Sequence, residues 1–410
     1  MAGQTDGQDR TGGGACRVLH ISADFPDPLQ PAKTRAISNL IDLTHDTLDH
    51  HVYSLNRIGP RHTLAALPFG PDWRAVAYPG PPRGLFLKTY LDRVADWIRD
   101  DVRARGLRVD LVHAHKLSTD GLVGARLATA LGVPLMVSSQ GISDEKILRA
   151  RPDLRRVWRA IWREAAVMLP FAPWTTTLLT ELLGPRAGPT VVLPCPNEQD
   201  TVVAPRPADP VVKTCFHLRE HARKNVLGLI QAVAVAARTV PDLRLEILGG
   251  GDPAGCAAVQ AAIRTHAPDR CRLVGPVPRE RIQAEMNAAC AFVLVPFRES
   301  FGMVYTEALL SGAPVVHANT NGIAGYFPDT EAVVGVPPGD TDGLAAVLVD
   351  RVRRQDTIKA ALRTLQDAGG LDPLRRAGIR ATYLAAVETA RGRHRTGPGG
   401  SRPERSNTAA

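Results

Sequence analysis

The sequence predicts an α/β protein with two open parallel sheets in tandem, each covered by helices. Three observations carry that expectation. Short apolar runs alternate with helix-length amphipathic segments along nearly the whole chain, which is the pattern of βαβ units. The alternation stops once, at residues 194–210, where five prolines and little apolar periodicity mark a linker, and then it restarts. The chain's 410 residues are too many for one ordinary core and suit two domains plus tails.

The first run of elements begins with a strand at 16–23, after a leader (1–15) rich in Gly, Thr, Asp and Gln and expected to be disordered. A loop holding Asp24-Phe-Pro-Asp-Pro-Leu-Gln-Pro follows, then a helix over 33–43. Strands are expected at 51–55 and 75–78, an amphipathic helix over about 85–102, and a strand over 110–115 ending on His115. A helix at 121–131 and strands at 134–138, 167–169 and 191–193 complete a first Rossmann-like domain, 16–195. After the linker, 196–210, strands are expected at 214–218, 243–248, 271–274, 292–295, 315–317 and 333–336, with helices between them. They define a second Rossmann-like domain, 211–371. A last helix spans 374–389, and a Gly, Pro, Ser and Arg-rich tail, 391–410, is expected to be disordered.

One stretch concentrates the chemistry: Val293-Leu-Val-Pro-Phe-Arg-Glu299-Ser-Phe-Gly302-Met-Val-Tyr-Thr-Glu307-Ala-Leu-Leu-Ser-Gly312-Ala-Pro314-Val-Val316. It reads strand, tight loop, short helix, strand. Such a loop lies outside the carboxyl end of a parallel strand, where open α/β sheets bind ligands. The helix that Gly302 opens offers backbone N–H groups to an anion. Glu299 and Glu307, with seven residues between them, bracket that position. Carboxylates repel phosphate, so their task is to accept hydrogen bonds from hydroxyls on either side of it. Hydroxyls, phosphates and hydroxyls in that order describe a sugar nucleotide. Two solvated surface glutamates are the ordinary alternative, and the strand–loop–Gly–helix–Gly–Pro context favours the site.

This stretch resembles the E-x(7)-E signature of retaining glycosyltransferases of the GT-B fold, specifically glycosyltransferase family 4 (group 1). Segments similar to the same family recur at Asp110-Leu-Val-His-Ala-His115, Leu193-Pro-Cys-Pro-Asn197, Leu248-Gly-Gly-Gly-Asp, Leu273-Val-Gly-Pro-Val and Val336-Pro-Pro-Gly-Asp340, so that the resemblance covers most of 16–390. The fold it implies is GT-B: two Rossmann-like domains facing each other across a cleft, the first on the acceptor side and the second holding the donor, with the final helix (372–390) crossing back to the first. The activity it implies is transfer of a sugar from a nucleotide sugar, UDP- or GDP-linked, to a glycan or lipid-linked acceptor, without a metal or other cofactor. Surface polysaccharide assembly in the cytoplasm is the expected setting.

The resemblance also assigns residues. Glu299 contacts the donor sugar and Glu307 the ribose. Arg219 and Lys224, with four residues between them after the first strand of the second domain, grip the diphosphate together with the amides of Phe301, Gly302, Met303 and Val304. Fixed cations and helix N–H groups stabilise the charge that the leaving diphosphate gains. Arg223 has the same charge but misses that spacing. His115 is implied as a substrate contact or proton-handling residue. Two departures concern the acceptor side. A Gly-Gly pair expected in the first loop is replaced by Gln30-Pro-Ala-Lys33, so that Lys33 stands where amides would approach the donor phosphates, and a His-Gly pair is replaced by Gln140-Gly141.

The segment from Asp153 to Ala165 places Leu154, Val157, Trp158, Ile161 and Trp162 on one helical face and four arginines elsewhere. Such a helix either packs inward or lies on an anionic membrane surface, which would make the protein a peripheral one on the inner face of the cytoplasmic membrane. Other classes fit less well. No apolar run reaches membrane-spanning length, and the first fourteen residues carry no apolar h-region. Six cysteines without metal-like spacing read as reduced, buried thiols. No P-loop motif occurs, and Gly249-Gly-Gly-Asp-Pro-Ala-Gly255 misses the dinucleotide spacing by one residue. The net charge of +9 comes from dispersed residues without interleaved exposed aromatics, so no nucleic-acid partner is expected. A sugar phosphorylase or synthase on the same scaffold, or an inactive assembly subunit, would reuse the same residues.

Overall fold

The computed structural model describes residues 15–327 and 330–396. Most of the leader and the tail from 397 onward lie outside them. A seven-stranded sheet is built from β1 (Cys16–Ser22), β2 (Leu48–Ile58), β3 (Ala65–Phe69), β4 (Trp73–Pro79), β5 (Leu111–Ala114), β6 (Leu135–Ser139) and β7 (Val167–Pro170). Its order is β3-β4-β2-β1-β5-β6-β7, parallel except for the β3–β4 pair. Helices α1 (Ala36–Asp42), α2 (Leu87–Ala104), α3 (Asp120–Leu131), α4 (Ile142–Ala150), α5 (Arg155–Glu164) and α6 (Pro173–Leu183) connect these strands.

A second, all-parallel sheet is built from β8 (Val211–Cys215), β9 (Arg244–Leu248), β10 (Cys271–Gly275), β11 (Ala291–Leu294), β12 (Val315–Ala318) and β13 (Val333–Val336), in the order β10-β9-β8-β11-β12-β13. Its helices are α7 (Val226–Ala236), α8 (Pro253–His266), α9 (Arg279–Asn287), α10 (Met303–Leu310), α11 (Thr341–Arg353) and α12 (Gln355–Asp367). The inner strands are largely buried, as parallel sheets covered on both faces require: β11 is buried throughout and wholly apolar, whereas β1 and β8 also bury His20, Ser22, Lys213 and Thr214. In each sheet the strand order reverses next to the first strand, between β1 and β5 and between β8 and β11. Those reversals open crevices at the carboxyl ends of the strands.

The last helix, α13 (Arg376–Thr396), buries Ile379, Tyr383, Ala386, Val387 and Ala390 against Val18, Leu111, Met136, Val167 and Leu169 of the first sheet. The helix runs six residues beyond 390, so residues 391–396 are helical where a disordered tail is expected from composition. Other expectations are corrected too. Residues 191–193 form no strand. Prolines at 189, 194 and 196 interrupt the ladder, although Val191 and Leu193 still donate to Met168 and Pro170. The strand expected at 214–218 ends at Cys215, and Leu218–Glu220 is a 3₁₀ turn. The helix expected from Lys33 begins at Ala36, which leaves Lys33 in the loop. Strand β3 is missed by sequence because Pro68 sits in it; it is an exposed edge strand, where proline is tolerated.

The Trp-bearing helix α5 packs inward. Trp158 and Trp162 are 0% and 1% exposed, and their indole N–H groups donate to Ser118 and Gly184. The apolar face is therefore occupied by the core, which removes the reason to place it on a membrane. No helix among the described residues is long and apolar enough to cross one.

Candidate functional site

A cleft cavity of about 470 Å³ lies at the crevice of the second sheet, and the first sheet closes it from the other side. Its second-sheet wall is His217, Arg223, Lys224, Glu299 and residues 300–304, and Thr34, Ile37 and Gln140 face them. A larger groove of about 960 Å³ lies away from it, among α2, α3, α5 and the end of α13. The charges around that groove are largely spent on ion pairs such as Lys88–Asp92 and Arg126–Asp96, so the cleft is the chemically equipped cavity.

The cleft wall is two loops fastened together. After β8 the chain turns through the 3₁₀ segment to Asn225, whose backbone is left-handed (φ 56°) and whose side chain donates to Val295 O (3.1 Å). Phe297 N–H donates to Arg223 O (3.1 Å), and the Arg223 guanidinium donates to Arg298 O (2.9 Å). Asn321 holds the same loop from the other side through Pro296 O (3.3 Å). Gly302 then enters α10 at φ 78°, where a Cβ would lie 2.4 Å from the Tyr305 ring. Only glycine fits that turn. No side chain caps α10, so the amides of its first turn remain available to an anion. Gly249, opposite, packs against the β8 loop so closely that a Cβ would lie 2.1 Å from Phe216 O.

The residues expected at the site divide into two groups. Lys224, Glu299, Phe301, Gly302, Met303 and Val304 all line the cavity. Lys224 and Glu299 are ion-paired to each other, with side chains 12% and 11% exposed. The others lie off the lining. Glu307 sits one turn into α10, half-buried; burial pushes its carboxyl up, and the charge of Arg279 pulls against that. Arg219 is exposed, whereas Arg223, set aside on spacing, is part of the wall. Lys33 does not present a free cation: its ammonium is bound by the buried Asp27 (2.9 Å), Ser54 Oγ (3.0 Å) and Leu55 O (3.2 Å), with the side chain 8% exposed. The expected approach of Lys33 to donor phosphates is corrected accordingly, because its charge is already neutralised inside the first loop.

His115 is buried at the end of β5, in a group with His20, His50 and His113. The alternation that should send His113 to the opposite face does not keep the rings apart, and their centroids are 3.9 Å from each other. Ring nitrogens of His20, His113 and His115 lie within 4.8 Å of one another. Both nitrogens of His20, both of His113 and Nε2 of His115 already make hydrogen bonds, so a metal here would have to displace protein partners. Burial and the neighbouring imidazoles hold His20, His113 and His115 well below the usual histidine range.

Sequence reading missed the second asparagine staple and Trp174, whose indole N–H crosses to Gly322 O of the second sheet (3.0 Å). The Asn321-Gly322 dipeptide was the available turn signal. Cys195 and Cys215 also line the cleft. Burial, with help from Glu299 and Glu307 respectively, pushes their thiols up to about 12 and about 11, so neither is a nucleophile at neutral pH.

Comparison with known proteins agrees with this geometry. Residues 5–196 match the model of a glycosyl transferase 4-like domain, and residues 210–353 match the model of glycosyl transferases group 1. D-inositol 3-phosphate glycosyltransferase of Nocardia farcinica is 29% identical over 192 residues, 44% of this chain and 42% of that protein. Glycogen synthase of Mycobacterium tuberculosis is 30% identical over 280 residues, 64% of this chain and 65% of that protein. Each match thus spans less than two thirds of the relative's length. Among solved structures, Anabaena HepE in complex with UDP and glucose superposes with a TM-score of 0.60 at 17% identity, over 91% of this chain and all of the other. With two matched models that together take in both sheets, the chain belongs to the group 1 glycosyltransferases and has their GT-B fold.

Proposed function

We propose that the protein is a retaining glycosyltransferase that moves a sugar from a nucleoside-diphosphate donor to a glycan or lipid-linked acceptor. The donor occupies the second domain, 211–371, and the acceptor enters from the first, 16–195. The observation that carries this reading is the cleft wall itself: Lys224, Arg223, Glu299 and an uncapped helix start meet in one cavity at a strand-order reversal. Binding of UDP and glucose by the Anabaena relative supports a nucleotide sugar, with UDP the first nucleotide to test.

In this account the diphosphate lies over the first turn of α10, against the amides of 301–304. Its charge draws Lys224 away from Glu299, and Arg223 or a swung Arg219 completes the grip. Glu299 is thereby released to accept hydrogen bonds from donor-sugar hydroxyls, and Glu307 accepts from the ribose. As the sugar–phosphate bond breaks, the developing charge on the leaving diphosphate meets groups already oriented toward it. The step requires no metal in this account. The test is release of nucleoside diphosphate from a panel of UDP- and GDP-sugars. Glu299→Ala is expected to lower turnover by 10²-fold or more, in the range of other lost transition-state contacts, while nucleotide binding persists. Full activity in that variant would refute the assignment.

A further inference from the structure

The buried histidines form a hydrogen-bonded row with a definite direction. Thr44 Oγ lies 3.0 Å from Leu40 O and 3.2 Å from His50 Nε2. A carbonyl can only accept, so the hydroxyl hydrogen goes to Leu40 and the oxygen accepts from His50 Nε2–H. A neutral imidazole carries one N–H. His50 Nδ1 therefore accepts from His20 Nε2–H (2.9 Å), and His20 Nδ1 accepts from His115 Nε2–H (2.9 Å). The row ends with a lone pair on His115 Nδ1.

We propose that His20 and His50 are positioning residues that hold His115 in its Nε2–H tautomer, so that Nδ1 is an acceptor for a hydroxyl of the sugar substrates. This rests on the glycosyl-transfer reading above. The place is suitable: β5 ends at the strand-order reversal of the first sheet, and Gln140, which lines the cleft, donates to His115 O (3.3 Å). The ring is also fixed from its other face. His113 packs against it at a tilt of 41° and is itself held by Tyr383 OH (3.0 Å) and Ser138 Oγ (2.9 Å). Burial keeps the row neutral, which suits a hydrogen-bond acceptor rather than a proton carrier.

The tautomer can be read directly by nitrogen NMR on histidine-labelled wild-type protein, with His115 assigned by the signal lost in His115→Gln. The expected result at neutral pH is a protonated Nε2 and a bare Nδ1. A proton on Nδ1 would overturn the proposal, and this readout needs neither substrate nor activity. In kinetics, His20→Leu is expected to lower turnover at least about tenfold, as for other orienting partners. The thermal shift given by UDP should stay unchanged. His20→Asn, whose amide can accept and donate in turn, should recover most of the rate. Unchanged turnover in His20→Leu would refute the positioning role. Failure of wild-type protein to bind any nucleotide would instead count against the transfer reading, and the NMR result would still decide the tautomer.

Discussion

At Gly302 one missing Cβ decides whether the loop can turn into α10, and that requirement was readable from the motif alone. Glu299 and Lys224 were equally legible, because their chemistry is carried by residue type and spacing. Lys33 and Arg223 were not. A lysine in a loop can face a ligand or a buried carboxylate, and the partner here, Asp27, together with Ser54 and Asn56, is assembled from one strand and a loop that only folding brings together. His50 offers a test at this scale. Burial lowers its pKa from 6.5 to about 4, so the unfolded chain takes up its proton first as the pH drops. The stability this neutral ring contributes is complete above pH 6.5 and is lost as the pH falls toward 4. At 1.36 kcal/mol per pH unit the loss is about 3 kcal/mol. Urea unfolding at pH 7.5, 5 and 4 should therefore show His50→Gln losing about that much less than wild type across the window; parallel losses would exclude it.

Among the elements, strands were legible where they are buried on both faces, and unreadable where proline interrupts them. The contrast between β11 and residues 191–193 is a matter of donors: the second segment lies along β7 yet has proline on both sides. Helix α5 shows the limit of periodicity. Its Trp face was plain in sequence, but the surface it meets was not. With Trp158 fully buried and hydrogen-bonded to Ser118, Trp158→Ala should cost about 3–5 kcal/mol in chemical unfolding. Arg156→Ala on the exposed face should change stability by less than about 0.5 kcal/mol. Equal small effects would mean that the helix is not part of the core. Helix α13 behaves similarly: its apolar spacing gave its existence, and only the fold shows that it covers the first sheet and reaches His113 through Tyr383.

For the whole molecule, the alternation of strands and helices on either side of one proline-rich break was enough to give two parallel sheets. Their strand-order reversals explain why the informative loops meet, since each follows a central strand at its carboxyl end. What the sequence could not show is which first-sheet groups close the cleft, because Thr34, Ile37, Gln140 and Trp174 are brought there by tertiary structure alone. The central claim is that this cleft binds a nucleoside diphosphate through the second sheet. It is tested most directly by melting the protein with UDP, GDP, ADP or NAD, and repeating the series with Glu307→Ala. A ligand that binds only the folded state raises the melting temperature by mass action, by about 2.7 kcal/mol of stability at a hundredfold excess over its Kd. The account predicts a rise with one nucleoside diphosphate, strongest for UDP, none with NAD, and loss of the rise in Glu307→Ala. A rise with none of the four nucleotides, or one that Glu307→Ala leaves intact, would contradict it.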